Sequence, residues 1–505
     1  CEIEDILLSR YPYFHHLAEP VASLEKGYEK KKQSTNSMDF DDLLEKTLRL
    51  FENHPTIRES YQRQFEWILV DEYQDTNALQ AELINTLAQP QNNVMVVGDD
   101  AQSIYSWRGA DFRNILDFPE EYEGATKYVI ETNYRSVPEI LTLANAAIAP
   151  NTQQFKKDLA ASRPDRDMLP ALAPLQDPNT QAAFVAQRIL ELRDEGIELN
   201  EIAVLYRAHF HAMEIQMELT NRGIPFVITS GLRFFEQAHI KDAAAFMKFV
   251  CNRRDEVAFK RFVKMLPGIG AKSADNLWNE WLRSDEAHVE AIHSFSEIML
   301  GFKVPSKAKS TWKQLAYTLD ELINLEGKPK PPAEMMPSIL GGVYEDYMRS
   351  KFTNFDNRRQ DLLQLEKYAE AFDDIEEFLS QLSLLAGQDA VGATQAEPDS
   401  ESVCLSSVHQ AKGLEWRAVF VVWLAEGRFP SNRVIDEDDE ENSGLEEERR
   451  LFYVAVTRAK DELYLTYPLI WHGAFDGETL QRPSQFIDDI PTDLVEEWNI
   501  GPAAW

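Results

Sequence analysis

The sequence predicts an α/β fold in which two parallel-sheet units are accompanied by helical segments. Two short apolar runs, Ile68–Val70 and Val94–Val97, end abruptly in acidic residues. Buried parallel strands deliver carboxylates to the ligand-binding edge of a sheet in this way. Strand and helix patterns alternate over residues 61–131 and again over 132–237, which is typical of parallel strands with crossover helices. Residues 238–400 are helical in pattern, and strands then resume, so an insertion in the second unit is expected.

The first unit is expected to follow a helical segment at residues 1–60. The strand Ile68–Val70 precedes a helical pattern over Thr76–Ala88, and a second strand is expected at Val94–Val97. A third apolar run, Tyr128–Ile130, predicts one more strand.

The second unit is expected to lie on both sides of the helical insertion. Its Pro- and Asp-bearing stretch Ser162–Thr180 predicts a loop, and residues 491–505 are expected to form a tail. The other expected elements are the helices Val137–Ala149 and Ala208–Arg222 and the strands Ile202–Tyr206, Pro225–Ile228, Val403–Ser406, Val419–Trp423 and Glu462–Thr466.

The chain is strongly acidic, with 85 Asp and Glu against 51 Lys and Arg and a net charge of −34. A basic surface is the usual sign of a nucleic-acid partner, so the net charge alone argues against one. Single strands also bind by stacking on aromatic rings, which contributes roughly 1–3 kcal/mol per base, and they need only a local basic groove. Nine acids crowd into Asp436–Glu448, which is expected to be a solvated loop leading into a helix.

The three cysteines, Cys1, Cys251 and Cys404, lie far apart in the sequence. They predict neither a disulfide framework nor a zinc site, and they fit a reducing cytoplasm. No apolar run approaches the roughly 18 residues of a membrane-spanning helix, so no membrane partner is expected.

Five segments carry the most informative patterns: Trp67–Thr76, Val94–Gly109, Glu131–Ser136, Val408–Trp416 and Glu447–Lys460. They resemble, in the same order, motifs II to VI of superfamily 1 helicases of the UvrD/PcrA/Rep family. The resemblance implies two RecA-like domains of the P-loop NTPase type, the first incomplete. It also implies an ATP-dependent enzyme that moves 3′ to 5′ on single-stranded DNA and unwinds duplexes in repair or replication restart.

The family layout gives each part of the chain a place. Residues 1–60 would close a helical insertion of the first RecA-like domain, and 61–131 would be the C-terminal part of that domain. Residues 132–237 and 401–490 would form the second RecA-like domain, with 238–400 as its helical insertion. The implied partners are single-stranded DNA, single-strand/duplex junctions and repair or replication proteins, in a cytoplasmic, nucleoid-associated setting.

Asp71 and Glu72 are the candidate catalytic carboxylates. An acidic pair at a strand end suits NTP hydrolysis, because one carboxylate can hold Mg²⁺ while its neighbour activates water. The plainer alternative is a helix cap, a role that Asp75 or Thr76 could also fill. The resemblance implies that Asp71 binds Mg²⁺, that Glu72 activates water and that Gln102 senses the γ-phosphate of ATP.

Two arginines, Arg135 and Arg458, are candidate phosphate sensors. A guanidinium carries a permanent charge and forked donors, which suit the charge of a transferring phosphoryl group. As ordinary surface residues they would be salt-bridge partners. The resemblance also implies that Tyr134 stacks on adenine and that Glu415 contacts the ribose or the triphosphate edge.

Candidate DNA contacts come from two parts of the chain. Tyr105, Trp107 and His409 could be core residues, but the motifs imply that they face single-stranded DNA. The G-I-G turn that includes Gly268, Gly270 and Lys272 could be a tight helix connection. It could also bind a phosphate through bare N–H groups and a helix N-terminus. In the family, a similar element contacts duplex DNA.

No G-x-x-x-x-G-K-[S/T] phosphate loop occurs in the 505 residues. We expect that the segment carrying it is missing, which would leave this chain alone inactive and its first sheet with exposed apolar edges and poor solubility. One alternative is a natural protein without the loop, acting as a non-catalytic DNA-binding regulator. A further alternative, the motor part of a helicase-nuclease, is the least favoured of these interpretations.

Overall fold

A computed structural model describes residues 3–10, 12–229, 237–288, 294–352, 355–370, 372–383, 401–436, 443–473 and 477–500. The chain divides into two compact units. The first comprises residues 1–129 with 153–156, and the second comprises residues 130–152 with 157–505.

The first unit is mainly helical around one short sheet. Ile68–Val70 and Val94–Val96 pair in parallel, with Leu69 opposite Met95. A small core of Tyr73, Ile115 and Phe118 packs beside them. The helices are Ile3–Arg10, Ala18–Thr35, Phe40–Asn53, Pro55–Gln64, Ala78–Ala88 and Arg113–Glu121, with 3₁₀ turns at Pro12–Leu17, Tyr73–Asp75, Asp100–Gln102 and Ser106–Arg108.

Side-chain caps fix where two of these helices begin. The Asp39 carboxylate accepts the N–H of Asp42, and the Asn77 side chain accepts the N–H of Gln80, each within a reciprocal capping box. The helix expected from Thr76 therefore begins at Ala78, and its cap is Asn77 rather than Asp75 or Thr76. Neither Asp71 nor Glu72 caps it.

The strand expected at Tyr128–Ile130 is wrong. These residues form no strand, and the side chains of Tyr128 and Ile130 are exposed. A short two-stranded parallel pair instead joins Thr132–Asn133 to Ala160–Ala161. The apolar run has strand composition but no neighbouring strand, and composition alone does not create a pairing partner.

The second unit is built on a seven-stranded sheet whose pairings are all parallel. The interior strand Ile202–Tyr206 is buried along its whole length, as expected for a strand covered on both faces. In spatial order the strands are Glu496–Glu497, Ala171–Leu175, Ala459–Pro468, Trp416–Val421, Ile202–Tyr206, Val403–Ser407 and Phe226–Ile228.

The loop expected over Ser162–Thr180 is partly wrong, because it contains the strand Ala171–Leu175 and the start of a helix at Pro178. Pro174 obscured the strand pattern. The outer neighbour Glu496–Glu497 pairs only with Ala171 and Leu172, whereas the inner neighbour pairs along the whole strand. Pro174 lies past the two residues that pair with the outer strand, so the N–H that a proline lacks would face an open edge of the sheet. A proline is tolerated there for that reason.

Helices surround this sheet and form the insertion. Among described residues from 238 to 383 there is no strand, and 384–400 lie outside the described residues. The insertion has an aromatic core that includes Phe249, Phe259 and Trp281. Around the sheet lie Pro138–Ile148, Pro178–Asp194, Met213–Asn221, Val408–Ala411, Asn432–Asp436, Ser443–Val456 and Gln485–Asp488. In the insertion lie Ala238–Cys251, Glu256–Val263, Ala271–His288, Phe295–Met299, Lys309–Glu321, Pro332–Ile339, Glu345–Lys351, Phe355–Ala369 and 375–383.

Outside the large sheet, a hairpin joins Ile470–Gly473 to Gly477–Leu480. Residues 437–442 of the acidic stretch lie outside the described residues. The part of that stretch within the helix Ser443–Val456 is not wholly solvated, because Glu448 is buried and accepts hydrogen bonds from Arg207. None of the described helices is long and apolar enough to cross a membrane.

Candidate functional sites

The end of the strand Ile68–Val70 presents two exposed carboxylates, Asp71 and Glu72. Glu72 adopts a left-handed backbone conformation with φ of 51°, which is uncommon for a residue other than glycine. Its N–H donates to Asp71 Oδ1 at 2.9 Å. Both residues therefore lie in the turn that directly follows the strand.

A buried glutamine connects this strand end to the next one. Gln74 Nε2 donates to Glu72 Oε2 at 2.6 Å, and Gln74 Oε1 accepts the N–H of Asp99 at 3.0 Å. Gln102 Nε2 in turn donates to Asp99 Oδ2 at 2.8 Å. Gln74 is fully buried, so its amide is shielded from competing water, whereas Glu72 at one end of the chain of hydrogen bonds is exposed. It links the predicted water-activating carboxylate to the predicted γ-phosphate sensor.

The loop after the second strand exposes an aromatic residue beside a cation. Trp107 is 63% exposed, whereas Tyr105 is half-buried. The guanidinium carbon of Arg108 lies 4.5 Å from the Trp107 ring centroid and 5.8 Å from that of Tyr105. An exposed indole with an adjacent positive charge can stack on a base and attract its phosphate.

A polar pocket of about 690 Å³ lies in the second unit. It brings together three residues predicted to bind nucleotide, namely Tyr134, Arg135 and Glu415. Arg135 Nε donates to Glu415 Oε2 at 2.5 Å, and Lys460 Nζ lies 2.9 Å from Glu415 Oε1. Hydrogen bonds from Lys460 and Arg135 hold the pKa of Glu415 below its ordinary value. The other lining residues are Thr132, Asn133, Arg163, Glu201, Arg417, Lys460 and Asp461.

An ion network among the lining residues of the pocket holds the backbone of Arg135. Arg163 Nη1 donates to the carbonyl oxygens of Arg135 at 2.6 Å and Lys460 at 3.1 Å. Its Nη2 donates to Asp461 Oδ1 at 2.5 Å, and Arg417 Nε donates to Asp461 Oδ2 at 2.7 Å. Burial acts to raise the pKa of Asp461, but the hydrogen bonds from Arg417 and Arg163 outweigh it and the pKa is lowered.

Arg458 is placed differently from the other predicted nucleotide ligands. Its side chain is 1% exposed and does not line the pocket. Nε donates to the carbonyl of Val454 at 3.0 Å and Nη1 to that of Leu414 at 3.2 Å. Both of these donors therefore bind backbone carbonyl groups of the second unit.

The predicted DNA contacts of the second unit lie in different elements, far apart in the chain. His409 is half-buried in the short helix Val408–Ala411. Gly268 has φ of +82° in the turn before the helix Ala271–His288, and Gly270 accepts the N–H of Ala274 at 2.9 Å. Lys272 is exposed in the first turn of that helix.

Comparison with known protein families identifies the chain. A family model described as "UvrD-like helicase C-terminal domain" matches residues 128–469, more than half of the chain. The chain belongs to this UvrD-like helicase family. A second model, "UvrD/REP helicase N-terminal domain", matches residues 9–123. The α/β architecture with its large parallel sheet agrees with two RecA-like domains of this family.

Curated relatives cover nearly the whole of this UvrD-like chain. It is 32% identical over 499 residues to "ATP-dependent DNA helicase PcrA" of Staphylococcus epidermidis, a match that covers 96% of the chain. It is 34% identical over 490 residues to the Bacillus subtilis protein of the same name, covering 95% of the chain. In both comparisons the chain spans 65% of the length of the relative.

Several residues of this UvrD-like helicase chain contact and position the predicted site residues but were not predicted from the sequence. Gln74 and Lys460 lie inside the motifs, so their positions were visible, but their contacts were not. Arg163 and Arg417 lie outside every quoted motif and reach the pocket only through the fold. No local signal in the sequence distinguishes them from ordinary surface arginines.

Proposed function

We propose that this chain is the motor of an ATP-dependent DNA helicase that couples ATP hydrolysis to 3′-to-5′ movement on single-stranded DNA. It would unwind duplexes at single-strand/duplex junctions during repair or replication restart. The observation that carries the proposal is the pocket of the second unit, where Tyr134 and Arg135 meet Glu415 across 280 positions of sequence. The relatives named as ATP-dependent DNA helicases support it.

The pocket offers one group for each part of a nucleoside triphosphate. Tyr134 presents an exposed ring for the base, and the Arg135 guanidinium offers forked donors for phosphate oxygens. Glu415 provides an acceptor for ribose hydroxyls. The lowered pKa of Glu415 reflects its hydrogen bonds from Lys460 and Arg135, which its carboxylate form accepts.

The first unit would supply the hydrolytic groups. Glu72 would take a proton from the attacking water, and Gln74 would fix the orientation of its carboxylate through the 2.6 Å hydrogen bond. Gln102 would report the state of the terminal phosphate through Asp99.

Asp71 suits Mg²⁺ as an exposed oxygen donor at the strand end. The described residues contain no group of three or more potential ligands, which fits an ion that keeps several waters and needs only one or two carboxylates. When bound, Mg²⁺ neutralises phosphate charge.

Single-stranded DNA would stack on the first unit's exposed indole. Trp107 and the neighbouring Tyr105 would stack on bases, each contact worth roughly 1–3 kcal/mol, and Arg108 would supply the local positive charge. This arrangement reconciles DNA binding with a net charge of −34, because the charge of the whole chain does not describe this loop. His409 is proposed as a further contact to the strand.

A second candidate function is a non-catalytic DNA-binding protein. The observation in its favour is the absence of a G-x-x-x-x-G-K-[S/T] pattern from the 505 residues. That loop normally holds the β- and γ-phosphates.

Steady-state ATP hydrolysis with and without a single-stranded oligonucleotide separates the two candidates. The helicase proposal expects DNA-stimulated hydrolysis that Glu72→Gln lowers by roughly a hundredfold or more, as loss of a general base does. Glu66→Gln, at an exposed position just before the strand, is the matched control and should leave the rate unchanged. If the unsubstituted chain binds DNA without hydrolysis, supplying an upstream segment that carries the phosphate loop decides between the candidates. Restored hydrolysis favours the helicase, and continued lack of hydrolysis favours the second candidate.

A further inference from the structure

Glu415 is the carboxylate at which two cations of the polar pocket meet. Its Oε2 accepts a hydrogen bond from Arg135 Nε at 2.5 Å, and its Oε1 lies 2.9 Å from Lys460 Nζ. The two other arginines that line the pocket both pair with a different carboxylate, that of Asp461. Arg135 and Lys460 therefore share Glu415, and neither forms an ion pair with any other residue that the structure describes.

The register of the large sheet places Lys460 beside Glu415. Glu415 directly precedes one strand, and Lys460 is the second residue of the strand that pairs with it in parallel. The carbonyl of Lys460 accepts the N–H of Val137 at 3.0 Å and Nη1 of Arg163 at 3.1 Å, so its backbone is held at two points. The ion pair between Lys460 and Glu415 therefore follows from the fold rather than from a chance meeting of surface side chains.

Under the proposed function, the guanidinium of Arg135 meets two anions. Its Nε is bonded to Glu415, and its Nη1 donates to the Thr457 carbonyl at 3.3 Å. A phosphate group that approaches Arg135 thus meets a carboxylate that is already bound there, and the two negative charges repel each other. The nucleotide has to displace Glu415 from Arg135 or bind beside it. Both become easier when another cation neutralises Glu415.

We propose that Lys460 is a positioning residue for nucleotide binding, because it neutralises Glu415 and so frees Arg135 for a phosphate group. The inference rests on the proposed function and adds a residue that is not among the predicted site residues. Lys460 holds the oxygen of Glu415 that Arg135 does not, so the carboxylate keeps a cation when the guanidinium binds the nucleotide. Of the two cations, Lys460 contributes more to the lowered pKa of Glu415.

A direct contact between Lys460 and a phosphate group is the alternative, because Lys460 also lines the pocket. The two roles differ in their dependence on Glu415. A lysine that acts through Glu415 loses its effect when that carboxylate is removed, whereas a lysine that binds phosphate keeps its effect. Glu415→Gln removes the charge and keeps an oxygen acceptor for ribose. A double-mutant cycle over the two residues therefore separates the roles.

The test measures the affinities for ADP and for a non-hydrolysable ATP analogue by titration calorimetry. The variants are Lys460→Met, Lys460→Arg, Glu415→Gln and Lys460→Met/Glu415→Gln. The matched control is Lys328→Met, which removes an exposed lysine that pairs with Glu326 at 3.1 Å in the helical insertion. Circular dichroism melting checks that every variant folds like the unsubstituted chain. If the chain alone binds neither nucleotide, the same series is measured with an upstream segment that carries the phosphate loop.

Lys460→Met should lower the affinity for the ATP analogue by roughly threefold to fivefold, the upper range for ion pairs that are partly exposed to solvent. The affinity for ADP should change by less than about twofold, because Arg135 is predicted to meet the phosphoryl group that is transferred. Lys460→Arg keeps the charge and should bind both nucleotides like the unsubstituted chain, as should the Lys328→Met control. In the Glu415→Gln background, Lys460→Met should have almost no effect.

Three results would overturn the inference alone. They are unchanged affinity in Lys460→Met, an equal loss of affinity for ADP and the ATP analogue, and a loss that persists in the Glu415→Gln background. The last of these would assign Lys460 to a direct phosphate contact. A lack of nucleotide binding even with the upstream segment present would overturn the proposed function as well.

Discussion

Gly98 has no side chain, and the side chain of Gln74 occupies the space that a Cβ atom on residue 98 would fill. An ideal Cβ on residue 98 would lie 2.2 Å from Gln74 Oε1 and 2.7 Å from Ile115 Cδ1, far inside contact distance. The same Oε1 accepts the N–H of Asp99, while Nε2 of that amide holds Glu72. The glycine is therefore required for space, and it permits the hydrogen-bonded link between the two strand ends.

Replacing Gly98 with alanine is expected to displace Gln74 and loosen Glu72. We expect DNA-stimulated ATP hydrolysis to fall by roughly tenfold to a hundredfold, the range for removing one or two buried hydrogen bonds. The free energy of unfolding should fall by about 1–3 kcal/mol because the added methyl group overpacks the site. Hydrolysis rates and thermal melting check these two effects.

Two companion variants separate the link from general damage. Gln74→Leu keeps a similar volume but removes both hydrogen bonds, so it should lower hydrolysis to a similar degree. Gly27→Ala is the control, since a Cβ there would meet no atom within 4 Å. Full activity in Gln74→Leu would show that the glutamine does not orient Glu72.

The features that could best be predicted from the sequence are those that local patterns determine, namely the ends of strands and the order of the motifs. The acidic ends of the first two strands are where they were expected. Three residues from separate motifs, Tyr134, Arg135 and Glu415, line one pocket, and their binding of nucleotide stays a prediction. Hydrogen bonds between distant residues could not be predicted. Arg163 reaches the carbonyls of Arg135 and Lys460 from a stretch expected to be a loop.

Two other differences have physical explanations of the same kind. The strand Ala171–Leu175 was hidden because Pro174 breaks the local pattern while the edge position tolerates it. The burial of Arg458, which is predicted to sense phosphate, is a second feature that the sequence did not indicate, because a sequence gives no measure of burial for a single arginine. Its guanidinium donates to backbone carbonyls within the second unit.

Arg163 is predicted to position the nucleotide pocket. Arg163→Gln removes the side chain that connects Asp461 to the Arg135 carbonyl. We therefore expect the affinity for a fluorescent ATP analogue to fall by roughly fivefold, which corresponds to the loss of about one hydrogen bond. Arg166→Gln is the control, because Arg166 lies 3.6 Å from the same Asp461 but makes no hydrogen bond to Arg135. Equal affinity in the two variants would contradict the positioning role.

Glu214 should make the second unit less stable as pH rises. Burial raises its pKa from 4.5 to about 7, and its Oε2 has no hydrogen-bond partner among the residues described. Between these values the native state retains a proton that the unfolded chain has released, so stability falls from pH 4.5 to 7 and stays lower above it.

Glu214→Gln should remove this pH dependence. Its gain in unfolding free energy over the unsubstituted chain should be near zero at pH 4.5 and reach about 3 kcal/mol at pH 8, the equivalent of the pKa shift. Denaturant unfolding at several pH values measures it. The exposed Glu198→Gln is the control and should follow the unsubstituted profile. A gain that does not grow with pH would rule out a protonated Glu214 in the native state.

The first sheet presents apolar side chains to solvent. Leu69 and Met95 are opposite one another on the two strands and are 75% and 57% exposed. Adjacent exposed apolar side chains attract apolar dyes and other chains. Leu69→Thr/Met95→Thr keeps residues suited to strands, so it should lower the fluorescence of bound anilinonaphthalene sulfonate by roughly twofold and raise the concentration at which the chain aggregates.

The stability of this double variant distinguishes an exposed face from a covered one. Substitutions at exposed positions usually change the free energy of unfolding by no more than about 0.5 kcal/mol, so melting should be nearly unchanged. Leu325→Thr/Met38→Thr is the matched control, because both residues are exposed but lie outside the sheet. If the control lowers dye binding as much as the sheet variant, the apolar surface is spread over the chain. If the sheet variant unfolds, Leu69 and Met95 are packed against other residues in solution.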